Sequence, residues 1–338
     1  LQMNLAQFET EITDGEVSDL LQKIGEDSTA TESVSLRQFR IEYGYNWQRR
    51  ITKKHTLLPL SIRYQDPSAS SEDVLQLSRE LGLAQQSGNQ GVSRFDRMLL
   101  YAPTYQLTLD SRLKKLRAHN TFWQQTIALG INNVFPLGGD AGDRELSIYP
   151  QLETDLRHYW LFNSKQSIAA RIHAGIAFPF TDRAIVPYFD LYTIGGPNSL
   201  RGFSPRQLGP GRTVPVQNSL LTLGGYGNVL LETSIEYRHR INQMVAIALF
   251  ADAGNLWSYK TELEPLDTDF ATDSFLDEIA ADAGIGLRFD LQFIILRIDL
   301  AKPFLIPYED AFDDPDTLPE GAELNDNIKF ILAFGYPF

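Results

Sequence analysis

Beginning at Phe39, the chain alternates apolar and polar side chains with a period of two. Phe39, Ile41, Tyr43, Tyr45 and Trp47 fall on one side, and Arg40, Glu42, Gly44, Asn46 and Gln48 on the other. Successive side chains of an extended chain point to opposite faces, so this alternation predicts a strand. The same dyad returns in Leu99, Tyr101, Tyr105, Leu107 and Leu109, in Trp123, Ile127, Leu129 and Ile131, and in Ile168, Ala170, Ile172, Ile176 and Phe178. It continues in Val229, Leu231, Ile235 and Tyr237, in Ile285, Leu287, Phe289 and Leu291, and in Ile328, Phe330, Leu332, Phe334, Tyr336 and Phe338. The opposite positions carry Arg171, His173, Glu232, Glu236, Arg238, Asp282, Arg288 and Lys329. About twelve strands are predicted, over 1–12, 33–50, 54–66, 93–112, 119–133, 145–161, 166–180, 226–241, 243–258, 276–291, 293–304 and 327–338. One helix is predicted over 71–82, where Val74, Leu77 and Leu81 share a face and Gly82 suits the stop.

Alternation of this kind suits two architectures. A soluble sandwich turns its apolar face inward. A transmembrane barrel turns that face to lipid and keeps the polar one toward a wet lumen. Segment length and connection length separate the two. Most segments reach or exceed the roughly 9–11 residues that cross a bilayer at a tilt. Their connections alternate: short ones near 50–54, 112–118, 163–165, 241–243 and 291–292, long ones over 13–32, 67–92, 134–144, 181–225, 259–275 and 305–326. Short periplasmic turns and long external loops are the pattern of outer-membrane barrels, and the parity holds along the whole chain. The longest uncharged apolar run, 241–251, falls short of the roughly 20 residues a membrane helix needs. A span by this chain is therefore a closed barrel, in which every backbone group pairs between strands. Trp47, Trp160, Phe162, Trp257, Tyr259, Tyr336 and Phe338 lie near strand ends, where headgroup-level rings and ordinary core aromatics are equally good readings.

Composition narrows the chemistry. A formal net charge of −13 speaks against a nucleic-acid partner, which attracts clustered Lys and Arg. The absence of cysteine removes disulfides, thiolate metal sites and cysteine nucleophiles. His55, His119, His158, His173 and His239 lack metal-ligand spacing, and there is no phosphate-cradling loop or Gly-x-Ser-x-Gly elbow. No catalytic group, metal or cofactor is expected. Charge is segregated instead. The long loops are acidic, as in Asp14, Glu16, Asp19, Glu26 and Asp27, and the short turns are basic, as in Arg49, Arg50, Lys53 and Lys54. These runs read as solvated faces, with a calcium site in the acidic loops the lesser reading.

The most specific motif is Gly195-Gly196-Pro197-Asn198-Ser199-Leu200-Arg201-Gly202-Phe203, followed by Gly209-Pro210-Gly211. Gly227-Asn228 then leads into Ser234-Ile235-Glu236-Tyr237, and Phe250-Ala251-Asp252-Ala253-Gly254-Asn255-Leu256-Trp257 follows. After these come Gly284-Ile285-Gly286-Leu287-Arg288-Phe289-Asp290 and the ending Phe334-Gly335-Tyr336-Pro337-Phe338. In order and spacing these blocks resemble the BamA/TamA-type outer-membrane protein assembly factors of the bacterial surface antigen superfamily. In that family an Arg-Gly-Phe or Arg-Gly-Tyr tip follows paired glycines in the sixth extracellular loop. The resemblance implies an all-β, transmembrane antiparallel barrel of sixteen strands, with the loop over 181–225 folded back into the lumen. It implies that Gly195 and Gly196 turn that loop and that Arg201, Gly202 and Phe203 lock it, Arg201 pairing with Glu236 and Asp252. Both acids fall on the polar parity of their strands. A planar guanidinium holds a carboxylate through two parallel bonds, which Lys cannot reproduce.

The same resemblance gives the last strand a role. Residues 327–338 alternate and end in an aromatic residue, like the family's own barrel-targeting signal. Glycine weakens a strand interior and proline removes a ladder donor, so Phe334, Gly335, Pro337 and Phe338 are assigned to a weak lateral seam between first and last strands. The alternative for Gly335 is relief of crowding. A client strand would add to the opened edge by β-augmentation. The implied partners are outer-membrane lipid, client β-barrel proteins and periplasmic or lipoprotein accessory subunits. The rival readings are a secretion pore of the same superfamily and a passive channel. All of 1–338 is expected to be barrel, mapping onto the last twelve family strands. Four strands and the periplasmic POTRA repeats are expected to be missing, as in an N-terminally truncated piece of a longer precursor.

Overall fold

The computed structural model describes residues 2–12, 32–69, 97–113, 118–135, 145–180, 186–214, 225–259, 270–313, 324 and 326–338. They form one antiparallel sheet: β1 (Gln2–Ile12), β2 (Glu32–Arg50), β3 (Lys53–Ala69), β4 (Arg97–Tyr101), β5 (Thr104–Asp110), β6 (His119–Phe135), β7 (Glu145–Leu161), β8 (Gln166–Ala177), β9 (Val229–Arg240), β10 (Val245–Trp257), β11 (Ala280–Asp290), β12 (Ile295–Leu305) and β13 (Lys329–Phe334). Each strand pairs with its sequence neighbours, except that β4 and β5 both lie between β3 and β6. The two are therefore one span, broken at Ala102 and Pro103. Pro103 brings no N–H to the ladder, and Pro59 in the facing stretch of β3 brings none either. The expected strand 93–112 is thus interrupted, and thirteen strands make twelve spans. The helix expected over 71–82 lies outside the described residues.

Two other expectations are corrected at strand ends. The segment 276–291 opens with a 3-10 turn, Phe275–Glu278, and only then becomes β11. The last strand stops at Phe334 rather than Phe338. Gly335 adopts φ +78, in the left-handed region, and sends the chain off the sheet. A Cβ placed there meets nothing within 4 Å, so crowding is not the reason for this glycine. Conformation is.

The two faces of the sheet differ sharply. Ile235, Leu249, Ile285 and Phe330 are at least half exposed, whereas Glu236, Asp252, Asp282 and Arg288 are at most 1% exposed. Apolar side chains thus face out and charged ones in, the reverse of a soluble sandwich and the arrangement of a transmembrane barrel. The sheet curls to make that interior. Phe338 packs with Tyr159 on β7 and Ala169 on β8, yet only four residues separate it from the end of β13. Four residues span at most about 14 Å. Five strand spacings laid flat from β13 to β8 would be about 24 Å. A strongly curled sheet brings these groups together across the interior.

Candidate functional site

Between β8 and β9 the chain turns inward, and residues 186–214 lie on the polar wall. The base of this loop is held by Val186 and Leu191, which pack with Leu100, Ala102, Tyr149 and Ala177. Tyr192 pairs with Gly227 through two backbone hydrogen bonds. The loop then doubles back at Gly195 and Gly196, whose φ values of 96° and 92° fall in the region that favours glycine. A side chain at Gly195 would also strike the carbonyl oxygen of Ser204 at 2.3 Å. The Gly196 N–H donates to the Phe203 carbonyl at 2.8 Å and closes the knob that presents Arg201.

Arg201 reaches the wall made by β9 and β10. Its Nε and Nη2 donate to the two carboxylate oxygens of Asp252 at 2.7 and 2.9 Å, and its Nη1 donates to Glu236 at 2.6 Å. The Arg201 backbone N–H adds a longer bond to Asp252, 3.3 Å. The guanidinium carbon stands 3.4 Å above the centre of the Phe250 ring. In-plane carboxylates and an aromatic face together satisfy the group on all sides, and all three ionic side chains have no exposed area. Burial works against the cation, but Asp252 and Glu236 more than compensate and hold the guanidinium pKa above its ordinary value. A buried, stacked, bidentate arginine is a strong contact, because a cation–π interaction of a desolvated guanidinium contributes about 2 kcal/mol.

The wall itself explains why the loop must be there. Asp252 and Asp282 stand directly opposite each other across the β10–β11 ladder, and Arg288 and Arg297 do so across β11–β12. Like charges directly opposite destabilise a sheet. The tip answers both pairs. Arg201 binds Asp252, and Gly202 lies so close to Asp282 that a Cβ would come within 2.5 Å of the aspartate's own Cβ. Arg297 donates to the Pro197 carbonyl at 2.8 Å and to Asn198 Oδ1 at 3.0 Å. Arg288 bonds Glu236 at 2.9 Å and also Asp299. Arg238 bonds Glu236 at 2.7 Å. Four guanidinium groups thus gather around three carboxylates, Glu236, Asp252 and Asp299, with Asp282 against Gly202, and one of the four cations arrives on the loop.

Ser199 adds a further tie. Its hydroxyl donates to Glu232, which also contacts His173, and accepts from the Gly195 N–H. Arg171 donates to the Asn198 carbonyl. Phe203 does not face the wall's charges. It is buried with Tyr192, Ile194, Leu200, Leu208, Leu230, Leu256, Ala280, Ile306 and Tyr308, a cluster that gathers the loop and the strand ends near it.

The candidate residues therefore fall into two groups. Arg201, Gly202, Phe203, Glu236, Asp252, Gly195 and Gly196 come together. Phe334, Gly335, Pro337 and Phe338 lie elsewhere, and the shared face that alternation gives Phe334 and Phe338 does not hold. Phe334 faces out, while Pro337 and Phe338 are buried on the inner side. Arg238 lies over the rings of Tyr336 at 4.3 Å and Phe338 at 5.6 Å. Because Arg238 also bonds Glu236, one chain of contacts links the loop tip to the end of β13. Trp257 is likewise no interfacial ring. It is fully buried, and its indole N–H donates to Glu278 at 2.6 Å. Asp299 and Arg297 went unnoticed in the sequence, although Arg297 and Asp299 alternate with the outward Leu296, Ile298 and Leu300.

An apolar-out, polar-in antiparallel sheet with an arginine-tipped loop seated on its inner wall has the architecture of a transmembrane β-barrel. The sequence matches the Omp85 superfamily domain over residues 22–330, and the chain belongs to that superfamily. Its fold is similar to that of BamA from Haemophilus ducreyi lacking POTRA domains 1–3, at 19% identity and a TM-score of 0.50. The match covers 90% of this chain and 61% of that one, so the chain spans about three fifths of its relative. Looser likenesses are to CdiB from Acinetobacter baumannii, at 11% identity and a TM-score of 0.33, covering 99% of this chain and 59% of that one. Another is to the Pseudomonas putida toluene transporter TodX, at 10% identity and 0.32, covering 89% and 72%.

Proposed function

We propose that this chain is the barrel of an outer-membrane insertase, which assembles client β-barrel proteins through a lateral seam between its first and last strands. The observation that carries the reading is the fully buried seat of Arg201 between Glu236 and Asp252. A loop held this firmly gives the polar wall a fixed shape, on which the strands nearest the seam can loosen without the barrel collapsing. The last strand is suited to loosening. β13 pairs with β12 over six residues, whereas β12 pairs with β11 over ten. Hydrogen bonds at such an edge can be exchanged for hydrogen bonds to an incoming strand, with no nucleotide or catalytic group involved. The partners on this reading are outer-membrane lipid around the apolar girdle, unfolded client barrels at the seam, and periplasmic or lipoprotein accessory subunits at the short-turn end.

Substituting Arg201→Ala in the complete protein tests the reading. The expected result is a several-fold fall in other outer-membrane barrels, while this barrel stays folded and keeps its heat-dependent gel shift. Normal client levels at a normal amount of the variant would overturn it. Loss of one exported protein with all client barrels intact would favour a secretion pore instead.

A further inference from the structure

The loop has a second anchor that the Arg201 motif does not include. Tyr188–Asp190 form a single 3-10 turn at the base of the loop, and Asp190 bonds β3 and β7 rather than the strands that seat the tip. Asp190 accepts a hydrogen bond from Arg63 Nη1 of β3 at 2.5 Å and one from the Tyr149 hydroxyl of β7 at 2.7 Å. The Arg63 and Asp190 side chains are about nine-tenths buried, at 13% and 9% exposure, and Tyr149 is fully buried. Space for this arrangement is built into the strands. A Cβ on Gly130, opposite Tyr149 in the β6–β7 ladder, would overlap the Tyr149 ring at 2.1 Å. A Cβ on Gly175 of β8 would overlap the Tyr192 ring at 2.5 Å. Tyr192 in turn accepts from Gln151 at 3.1 Å.

The two anchors hold different parts of the barrel. Asp190 and Tyr192 are tied to β3, β7 and β8. Asn198 and Arg201, less than a dozen residues on, are tied to β8 through β12. The paired glycines 195 and 196 lie between the anchors. We propose that Asp190 is a positioning residue: it fixes the base of the loop to β3 and β7, so that Arg201 is delivered to its seat and the two halves of the wall are tied together through one short segment. A guanidinium on the far wall and a tyrosine hydroxyl are the two donors a single carboxylate needs for a fixed orientation. Without them the base of the loop keeps the Tyr192 bonds to Gly227 and Gln151 and its apolar packing, but loses its tie to β3, and the tip's aim loosens.

These 338 residues contain no cysteine, so Leu200→Cys, with any cysteine elsewhere in the complete protein replaced by serine, supplies a single thiol at a position with no exposure beside Arg201. In the complete protein in its membrane, this thiol is expected to be shielded from a bulky maleimide. Asp190→Ala should speed labelling about tenfold or more, since hydrogen bonds to charged groups contribute about 1.5–3 kcal/mol and each 1.4 kcal/mol is a factor of ten. Asp190→Asn, which keeps the shape, should give a smaller rise. The exchange Arg63→Asp with Asp190→Arg should restore shielding relative to either single change. The gel shift of the folded barrel should be unchanged throughout. Continued shielding in both Asp190 variants would overturn the proposal, as would an exchange no better than the single changes. The inference rests on the insertase reading only for its consequence, a fall in client barrels. If labelling rises and client levels hold, the positioning role stands and the insertase reading fails.

Discussion

Arg201 is the residue on which the inner wall depends, and its substitutes should fail for different reasons. Alanine leaves Glu236 its bonds to Arg238 and Arg288 but strips Asp252 of its guanidinium partner, a loss of about 3–5 kcal/mol for a broken buried pair. Lysine restores the charge but neither the fork nor the stacking over Phe250, so thermal unfolding in micelles should place Arg201→Lys between the parent and Arg201→Ala. Removing a carboxylate as well should help: Arg201→Met with Asp252→Asn is expected to regain most of the stability lost in Arg201→Met alone. It should not regain client assembly, and recovery of assembly would count against the guanidinium as the seat of the lock. This trio was legible in the sequence because the family resemblance implied the pairing, and parity agreed by putting Glu236 and Asp252 inward. Asp190 was not. It lies among Tyr188, Phe189, Leu191 and Tyr192, where no periodicity shows which way a side chain points, and its partner Arg63 is 127 residues away. Arg288 was visible as an inward charge but indistinguishable from the many lumen charges any such barrel carries.

At the scale of elements, the last strand departs most from its pattern. Alternation runs from Ile328 through Phe338 without a break in the sequence, yet the structure breaks it at Gly335. The reason is a backbone angle, φ +78, that no side-chain pattern encodes. Placing an alanine there forces a side chain into the left-handed region, at a cost of about 1–2 kcal/mol, or else lets the strand run on. The second outcome would withdraw Phe338 from Tyr159 and Ala169. In the cysteine-free background, Ala169→Cys with Phe338→Cys should therefore form a disulfide readily, and Gly335→Ala should suppress it, as read by mobility on a non-reducing gel. Equal crosslinking with and without the alanine would show that the inward turn does not depend on the glycine. The split of β4 from β5 has a similar local origin. Pro59 and Pro103 were in plain view, but whether prolines end a strand or only interrupt it depends on whether both neighbours keep pairing, which is a property of the assembled sheet.

For the whole molecule, the alternation of short turns and long loops was enough to read a barrel, because chain reversal and strand length are local in sequence, whereas which face turns inward is not. Curvature is not local, and it is the contacts across the interior that establish it. If lateral opening is the working motion, a disulfide joining the strand that holds Phe334 to the first strand of the complete barrel should stop client assembly, and reductant should restore it. Full activity with the seam completely crosslinked would rule that motion out. The opposed charges of the wall carry one more consequence, for how the barrel comes into being. Strands β9 to β12 zipped together alone would still give Arg288 its partners Glu236 and Asp299, but would hold Asp252 against Asp282 without the guanidinium of Arg201. Local choices in conflict with the global fold raise the free energy of partly assembled states. This half of the barrel is therefore expected to mature as one cooperative unit with its loop, whose arginine brings Asp252 the cation that the strands beside it do not supply.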